Sequence, residues 1–400
     1  MSILLHKEKE HDYSNGNLRV LSIVRFMSAM GFAFISTIWA IYVDSFFHNI
    51  SYVGFLSGIL TLVAFISYFL FIPLIEKEDK AMLYKIALMG AILGYVLLFF
   101  IENLYLFIFI AAIIAILGTL RVTSFGIMLK DNSKKGSVSK NVGLMYVFAN
   151  IAWFLGPVIA GLIVSGIGIR SIFLFASGFL IFSLIIFDRS KIIDVNKKKS
   201  IDKNPLKNFI GFFKSKDRTI AYIISGGVDF WLTIVYLFMP LLIIRSGLEV
   251  TWVGYFLGAS VIPLITLEFM FSKMAAKVGF KRIFQIGFFI IGTITILGFF
   301  IQDIYALMGI IILANVGVAM VEPTTESYFF NILKKKEALQ FYGPYNTTST
   351  VGKFLSKIIP SAFLLIFPFK SLFLIFGGVT LGIFFLCFKI RDVIEEDIKS

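Results

Sequence analysis

Long apolar runs separated by short polar connections fill almost the whole sequence, and they constrain the fold more than any other feature. A run near the roughly 20 residues that cross a hydrocarbon core predicts a membrane-spanning α-helix, because lipid offers no partner for free backbone groups. The sequence therefore predicts an all-α polytopic membrane protein with twelve transmembrane helices, at approximately 18–43, 51–75, 82–101, 104–129, 139–165, 170–187, 219–244, 251–272, 282–301, 304–332, 338–366 and 368–388.

The composition excludes a mainly soluble protein. Hydrophobic residues make up 58% of the 400 residues and charged residues only 15%, whereas a soluble domain carries about 25% charged residues. The first apolar run lacks a small-residue cleavage site, so we expect it to remain as a span and not to be removed as a signal.

Cysteine and histidine are too few to build a metal centre. The chain has one cysteine, Cys387, and three histidines, His6, His11 and His48, none of which lies inside an apolar run. A single cysteine forms neither a disulfide framework nor a cysteine metal site. No grouping of a nucleophile with a base is visible either. We therefore expect no metal, no cofactor and no enzymatic activity.

The basic residues are distributed unequally between the two sides of the membrane. If the runs alternate in direction, thirty lysines and arginines lie on the side of the N-terminus and three, Arg170, Arg245 and Lys370, lie on the other. The positive-inside rule then places both termini in the cytoplasm of a multi-pass cell-membrane protein. The net charge of +13 indicates anionic lipid at the cytoplasmic loops and not nucleic acid. We expect a monomer.

The two halves of the sequence resemble each other in one ungapped register. Ser51–Gly58 aligns with Thr251–Gly258, and Ile169–Leu174 aligns with Phe369–Leu374, both at an offset of 200 residues. An internal repeat of this length predicts two six-helix bundles in the same orientation. We expect the bundles at 1–187 and 219–400, joined by a basic cytoplasmic linker at 188–218.

One segment of the linker has helical spacing. Leu206, Phe209, Ile210 and Phe213 follow the pattern i, i+3, i+4, i+7, with Lys207 among them. This pattern predicts a short amphipathic helix on the inner membrane surface. A disordered tether is the alternative.

Three motifs resemble those of the major facilitator superfamily, which is built from two six-span repeats. The fifth run resembles the family's antiporter signature G-x8-G-x3-G-P-x2-G-G, with Ala152 and Ala160 at two of its positions. Leu117-x3-Arg121 resembles the start of its fourth-span motif. The loop after the second run resembles G-x-L-A-D-R-x-G-R-K without its glycines. Residues matched by the first and third motifs are candidate gating or hinge residues: Gly143, Gly156, Pro157, Gly161, Glu76 and Lys77.

A simpler interpretation exists for these glycines. Small residues spaced along a membrane helix let a neighbouring helix approach closely, as the pairs Gly54 with Gly58 and Gly254 with Gly258 also indicate. Gly156-Pro157 bends a helix, because proline removes a backbone donor. Helix packing is therefore the alternative to a moving hinge.

Ionisable residues inside apolar runs are costly and mark functional positions in membrane proteins. Glu268 lies near the cytoplasmic end of its run, where we expect it to anchor the following basic loop. For Arg25, the alternative to a cavity role is that its side chain extends towards the inner membrane surface. The set contains four acids and four bases: Arg25, Arg121, Asp229, Glu268, Glu322, Glu326, Lys353 and Lys357.

Lys353 is expected near the membrane midplane. It lies fifteen residues after Ala338, about 22 Å at 1.5 Å per residue. Glu322 has a similar depth, so we expect Lys353 to pair with Glu322 or with substrate; a static ion pair is the alternative. Burial favours the neutral form of a carboxylate, which makes three acids the candidate proton carriers: Asp229, Glu322 and Glu326.

Polar faces on several runs predict a substrate cavity. The major facilitator resemblance implies that spans one, four, seven and ten line a central cavity, flanked by spans two, five, eight and eleven. The candidate cavity residues are Arg25, Arg121, Asn150, Trp153, Tyr236, Asn315, Asn346, Thr350, Lys353 and Lys357.

The resemblance implies a secondary transporter of a small molecule, working by alternating access. Gly352-Lys353 is not a phosphate loop, because Phe354 follows it. The antiporter signature favours proton-coupled efflux. Two deep lysines favour the alternative, proton-coupled uptake of an anionic nutrient. Sodium is the alternative coupling ion, and a non-transport membrane protein is the third interpretation.

Overall fold

The computed structural model describes residues 2–131, 138–190, 205–333 and 335–394, and every regular element among them is helical. A π-helical turn, Ile234–Phe238, lies between the eighth and ninth α-helices. In chain order the α-helices are α1 (Ser2–Phe47), α2 (Ile50–Lys77), α3 (Lys80–Phe100), α4 (Leu104–Asp131), α5 (Val138–Ile167), α6 (Ser171–Arg189), α7 (Pro205–Phe212), α8 (Lys216–Thr233), α9 (Met239–Arg245), α10 (Val250–Val278), α11 (Phe280–Gly298), α12 (Ile304–Asn331), α13 (Lys335–Asn346), α14 (Thr348–Phe363) and α15 (Ser371–Cys387).

Ten helical segments in the described chain are long and apolar enough to cross a membrane. The eleventh predicted span is divided, because α13 ends at Asn346 and α14 begins at Thr348. The Thr347 hydroxyl donates to the carbonyl oxygen of Pro344 at 2.7 Å, a local bond of the kind that competes with the helix ladder. The last apolar helix, α15, has only 17 residues.

The internal repeat is confirmed at the level of helix positions. Helices α2, α3, α4 and α6 begin at residues 50, 80, 104 and 171, and α10, α11, α12 and α15 begin at 250, 280, 304 and 371. The short connections before α4 and α12 also end in the same kind of helix cap. Asn103 accepts from the Leu106 nitrogen and Asp303 from the Ala306 nitrogen, each as a helix cap.

The chain forms two compact units. The first contains residues 1–39 and 63–200, and the second contains 40–62 and 201–400. In the first unit, α3 packs against both α4 and α6. In the second unit, α11 packs against α12 and α15, α10 packs against α12, and α8 packs against α14.

Polar contacts attach the segment 40–62 to the rest of the second unit. Arg245 donates to both carboxylate oxygens of Asp44, at 3.0 and 3.2 Å. Lys357 donates to the Thr61 hydroxyl at 2.8 Å. A side chain added at Gly54 would overlap Ser361, so the two backbones approach closely at this point.

The predicted linker helix is present as α7, and its position on the inner membrane surface stays a prediction. Phe212 is fully buried against Tyr222, Phe329 and Phe341, while Ile210 and Phe213 are exposed. The helix therefore attaches to the second unit through a position outside the predicted apolar stripe, and residues 191–204 of the linker lie outside the described chain.

One arginine fixes the end of α7. Arg218 donates to the carbonyl oxygens of Gly211 and Phe212, both at 3.0 Å, and pairs with Glu337 at 3.2 Å. A charged donor that satisfies the last carbonyls of a helix stabilises that end. The spacing of apolar residues did not predict this contact, because it is made by a charged side chain and one partner, Glu337, comes from a distant segment.

Helices α8 and α14 cross at two glycines. A side chain on Gly352 would overlap the carbonyl oxygen of Gly226, so the crossing requires a hydrogen at this position. Gly378 on α15 serves as a control for Gly352. It is also a helical glycine, but a Cβ added there would meet no neighbouring atom within 4 Å.

We expect Gly352→Ala to lower the thermal unfolding midpoint and Gly378→Ala to leave it unchanged or raise it. The added methyl group at Gly352 must push two backbones apart, a strain of about 1–3 kcal/mol. At Gly378 alanine gains about 1 kcal/mol of helix propensity instead. Circular dichroism of the purified protein in detergent measures both midpoints. Equal midpoints for the two variants would show that the crossing does not need glycine.

Candidate functional site

Lys353 and Asp229 form an ion pair between α14 and α8. The Lys353 Nζ lies 3.1 Å from Asp229 Oδ1 and donates to the Ser349 hydroxyl at 3.0 Å. The Lys353 side chain is 48% exposed and that of Asp229 is 20% exposed. The pair is therefore reachable by solvent and small solutes, which distinguishes it from a sealed core contact.

The predicted pairing of Lys353 with Glu322 is wrong, because Lys353 forms its ion pair with Asp229 in the structure. The reason is the glycine crossing: Asp229 follows Gly226 by three residues, and Lys353 follows Gly352 by one. The close approach at the glycines brings these two side chains face to face.

Hydroxyl contacts fix the register of α8 and α14 on both sides of the ion pair. Thr233 and Ser356 are 2.6 Å apart at their hydroxyl oxygens. The Thr348 hydroxyl donates to the Tyr222 carbonyl oxygen at 2.7 Å, and the Tyr222 and Thr347 hydroxyl oxygens are 2.9 Å apart. These bonds hold Lys353 at a fixed position relative to Asp229.

Glu322 is an acid near this pair that has no cation of its own. Within the described chain, its carboxylate forms neither an ion pair nor a hydrogen bond, and its side chain is exposed. It lies within electrostatic reach of Asp229, Glu268 and Lys353. The site therefore combines one lysine with two carboxylates that compete for it.

Glu326 and Lys357 have separate partners. The Tyr342 hydroxyl donates to Glu326 Oε1 at 2.7 Å. Lys357, one turn after Lys353 on α14, contacts Thr61 and approaches the carbonyl oxygen of Ser57 at 3.5 Å. The two lysines that share one predicted face thus meet different surroundings.

The other candidate cavity residues divide by burial. Asn315 is buried. Its side-chain amide donates to the Ile311 carbonyl oxygen of its own helix at 3.4 Å. Arg121 is buried on α4. Asn346 is exposed, and the half-buried candidates are Arg25, Asn150, Trp153, Tyr236 and Thr350.

Among the candidate gating residues, Gly156 lies at a close approach of two helices. A Cβ on Gly156 would lie 2.6 Å from that of Ala33, so α5 approaches α1 closely there. Gly161 and Pro157 are buried within α5, and Lys77 is exposed. Gly143 lies in α5, while the side chain of Glu76 lies outside the described part. A hinge role for these residues stays a prediction.

The sequence analysis missed the hydroxyl groups around Lys353. Ser349 and Ser356 lie four residues before and three residues after the lysine, which places them on the same helix face. This spacing was available from the sequence. Thr61 gave no such signal, because its contact with Lys357 joins distant segments.

We expect Lys353→Met to destabilise the protein by about 1–3 kcal/mol and the double variant Asp229→Asn/Lys353→Met to recover most of that loss. Removing one partner of a fully buried pair costs about 3–5 kcal/mol, and exposure of Lys353 reduces this penalty. Thermal unfolding of the parent, both single variants and the double variant measures the coupling. Strictly additive losses would show that the pair contributes no coupling energy.

Comparisons with known proteins agree with the helical architecture. The Major Facilitator Superfamily matches residues 21–267 and, in a second match, residues 247–399. The comparison with curated protein sequences finds no match.

Three solved structures illustrate the fold similarity. The nucleoside transporter NupG has a TM-score of 0.76 at 13% identity, covering 92% of this chain and 99% of its own. A POT family transporter in complex with 5-aminolevulinic acid has 0.75 at 12%, covering 93% and 95%. The human organic anion transporter MFSD10 has 0.69 at 13%, covering 94% and 99%.

The family match spans most of the sequence, and the similar structures share its fold over more than nine-tenths of the chain. The protein is a multi-pass membrane transport protein and not an enzyme. The chain belongs to the Major Facilitator Superfamily.

Proposed function

We propose that this transporter couples proton movement to the transport of a small organic solute by alternating access. The observation that carries the proposal is the unpaired carboxylate of Glu322 beside the Asp229–Lys353 ion pair. A gradient-driven carrier needs a group that is neutral in one state and charged in another.

The proposed membrane topology has twelve transmembrane helices with both termini in the cytoplasm. Helix α5 spans 138–167, and its counterpart at an offset of 200 covers α13 and α14 together. We therefore take α13–α14 as one interrupted span and α15 as the last. The basic loops then face the cytoplasm, where they meet anionic lipid, and the transporter is a monomer.

Lys353 is the centre of the proposed coupling mechanism. One ammonium group can balance only one of the two carboxylates within its reach, Asp229 and Glu322. When Glu322 carries a proton, Lys353 pairs with Asp229 as in the structure. When Glu322 loses its proton, it competes for Lys353, and the α8–α14 contact weakens. Proton release is thereby linked to the packing of two helices.

Proton-coupled efflux is the direction that the fifth-span motif favours. A second candidate, uptake of an anion together with protons, is supported by a different observation: Arg121 is a buried cation without an acidic partner in the described chain. Protons remain the proposed coupling ion in both cases, with sodium as the alternative.

The sign of the proton flux distinguishes the two directions. Proteoliposomes loaded with a pH-sensitive dye are exposed to a panel of solutes: alanylalanine, uridine, benzoate and ethidium. Symport acidifies the lumen when the transported solute is added outside, whereas antiport makes it more alkaline. This readout does not depend on the orientation of the protein in the vesicle. A solute that crosses without moving protons would contradict the proposed coupling.

We expect Glu322→Gln to abolish solute accumulation driven by an imposed pH difference while solute exchange at equal pH survives. Glutamine keeps the size and hydrogen bonding of the side chain but removes its titration. Asp229→Asn and Glu326→Gln are measured separately, because Glu326 already has a tyrosine partner. Glu102→Gln is the control, since Glu102 is an exposed acid paired with Arg170. Full accumulation in all three acid variants would rule out proton coupling through these residues.

A further inference from the structure

Arg121 lies buried in the first unit without a counter-ion. It is only 9% exposed, and its Nε has no hydrogen-bond partner. Its guanidinium stands 3.8 Å above the ring centroid of Phe32, and the described chain offers it no carboxylate. Arginine stays charged in proteins, and a buried charge without a partner is strongly unfavourable.

The groups around Arg121 do not neutralise it. Its electrostatic neighbours are Tyr84, Tyr95 and Arg25. Both tyrosines are buried, and phenols are neutral at physiological pH. Arg25 is also a cation, so none of these three neighbours is an acid that balances Arg121. An anion is the natural complement of the Arg121 guanidinium.

Ser124 is a second unsatisfied group on the same helix face. It is completely buried and its hydroxyl has no partner, and its place three residues after Arg121 sets it one turn away. The threonines around it behave differently: Thr123 donates to the Thr119 carbonyl oxygen at 2.9 Å, and Thr119 donates to the Ala64 carbonyl oxygen at 3.1 Å. The Ser124 hydroxyl is therefore buried without a hydrogen-bond partner in this structure.

The side of α4 one turn before Arg121 is open. A Cβ added at Gly118 would have no atom of another helix within 4 Å. A guanidinium binds a planar carboxylate through two parallel hydrogen bonds, and a neighbouring hydroxyl can donate a third. The aromatic ring of Phe32 covers the opposite face of the arginine.

We infer that Arg121 and Ser124 bind the carboxylate of the transported solute, which makes the substrate a small organic anion. The inference rests on the proposed transport function and names its substrate class. It assigns the anion to the first unit and not to Lys353, because Lys353 is already paired with Asp229.

The test measures binding to the purified full-length protein in detergent. Thermal unfolding is followed with benzoate, with its neutral isostere benzamide and with inorganic phosphate, at matched ionic strength. A ligand that binds the folded state raises the unfolding midpoint. We expect benzoate to raise it, and benzamide and phosphate to leave it unchanged.

Variants connect the effect to the site. Arg121→Gln is expected to weaken benzoate binding about 10- to 100-fold, the range for a lost charged hydrogen-bond partner. Arg121→Lys and Ser124→Ala are expected to weaken it less, since lysine keeps the charge without the fork. Arg170→Gln, an exposed arginine paired with Glu102, is the matched control and keeps full binding. If Arg121→Gln does not fold, Arg121→Lys and Ser124→Ala decide the question.

Several results would overturn the inference: no effect of benzoate on the parent, equal effects of benzoate and benzamide, or unchanged binding in the site variants. An equal, Arg121-dependent effect of phosphate would show a site for inorganic anions instead. The proton-flux assay separates this inference from the proposed function. Proton flux with a solute that lacks a carboxylate would contradict the carboxylate site but not proton coupling. Benzoate binding without any proton flux would contradict proton coupling but not the carboxylate site.

Discussion

The glycine crossing of α8 and α14 determines the chemistry of the second unit. Gly226 and Gly352 let two backbones touch, and the residues that follow them, Asp229 and Lys353, are thereby held within ion-pair distance. A charge inside a membrane protein must find its compensation within the protein. With the lysine paired to Asp229, Glu322 is left without a counter-ion among the described residues.

The two halves of the repeat have the same helix positions but different charges. The second half carries acids and lysines deep in its apolar runs, whereas the first half carries only Arg25 and Arg121 there. We propose that this difference gives each half a separate task. In this proposal the acids of the second unit carry the proton, and the Arg121 guanidinium of the first unit binds an organic anion.

Much of the fold follows from the sequence because lipid limits the choices. The apolar runs predicted the helices. The repeat predicted that helices in the two halves begin at equivalent positions, as they do at 50 and 250 and at 104 and 304. The eleventh span was not predicted as two helices, because the break at Thr347 depends on a local hydroxyl bond. Phe212 was missed because its burial depends on partners from elsewhere in the chain.

The candidate site was predictable in its members but not in its pairings. Spacing along a helix gives the depth of Lys353 and Glu322, which are similar, and depth alone suggested that they pair. The rotation of each helix about its axis decides which side chains meet, and here the close approach of two glycines fixed it. Ser124 gave no sequence signal, because a serine in a helix usually bonds to its own backbone.

Infrared difference spectroscopy of the protein in lipid, as the bulk pH is lowered, identifies the acid that takes up the proton. A carboxylic acid has a C=O stretching band that a carboxylate lacks, so the spectrum reports which acid takes up a proton. We expect a protonated-carboxyl band that disappears in Glu322→Gln and persists in Asp229→Asn. A band that persists in Glu322→Gln and disappears in Asp229→Asn would contradict it, because the proton would then reside on the acid that Lys353 already balances.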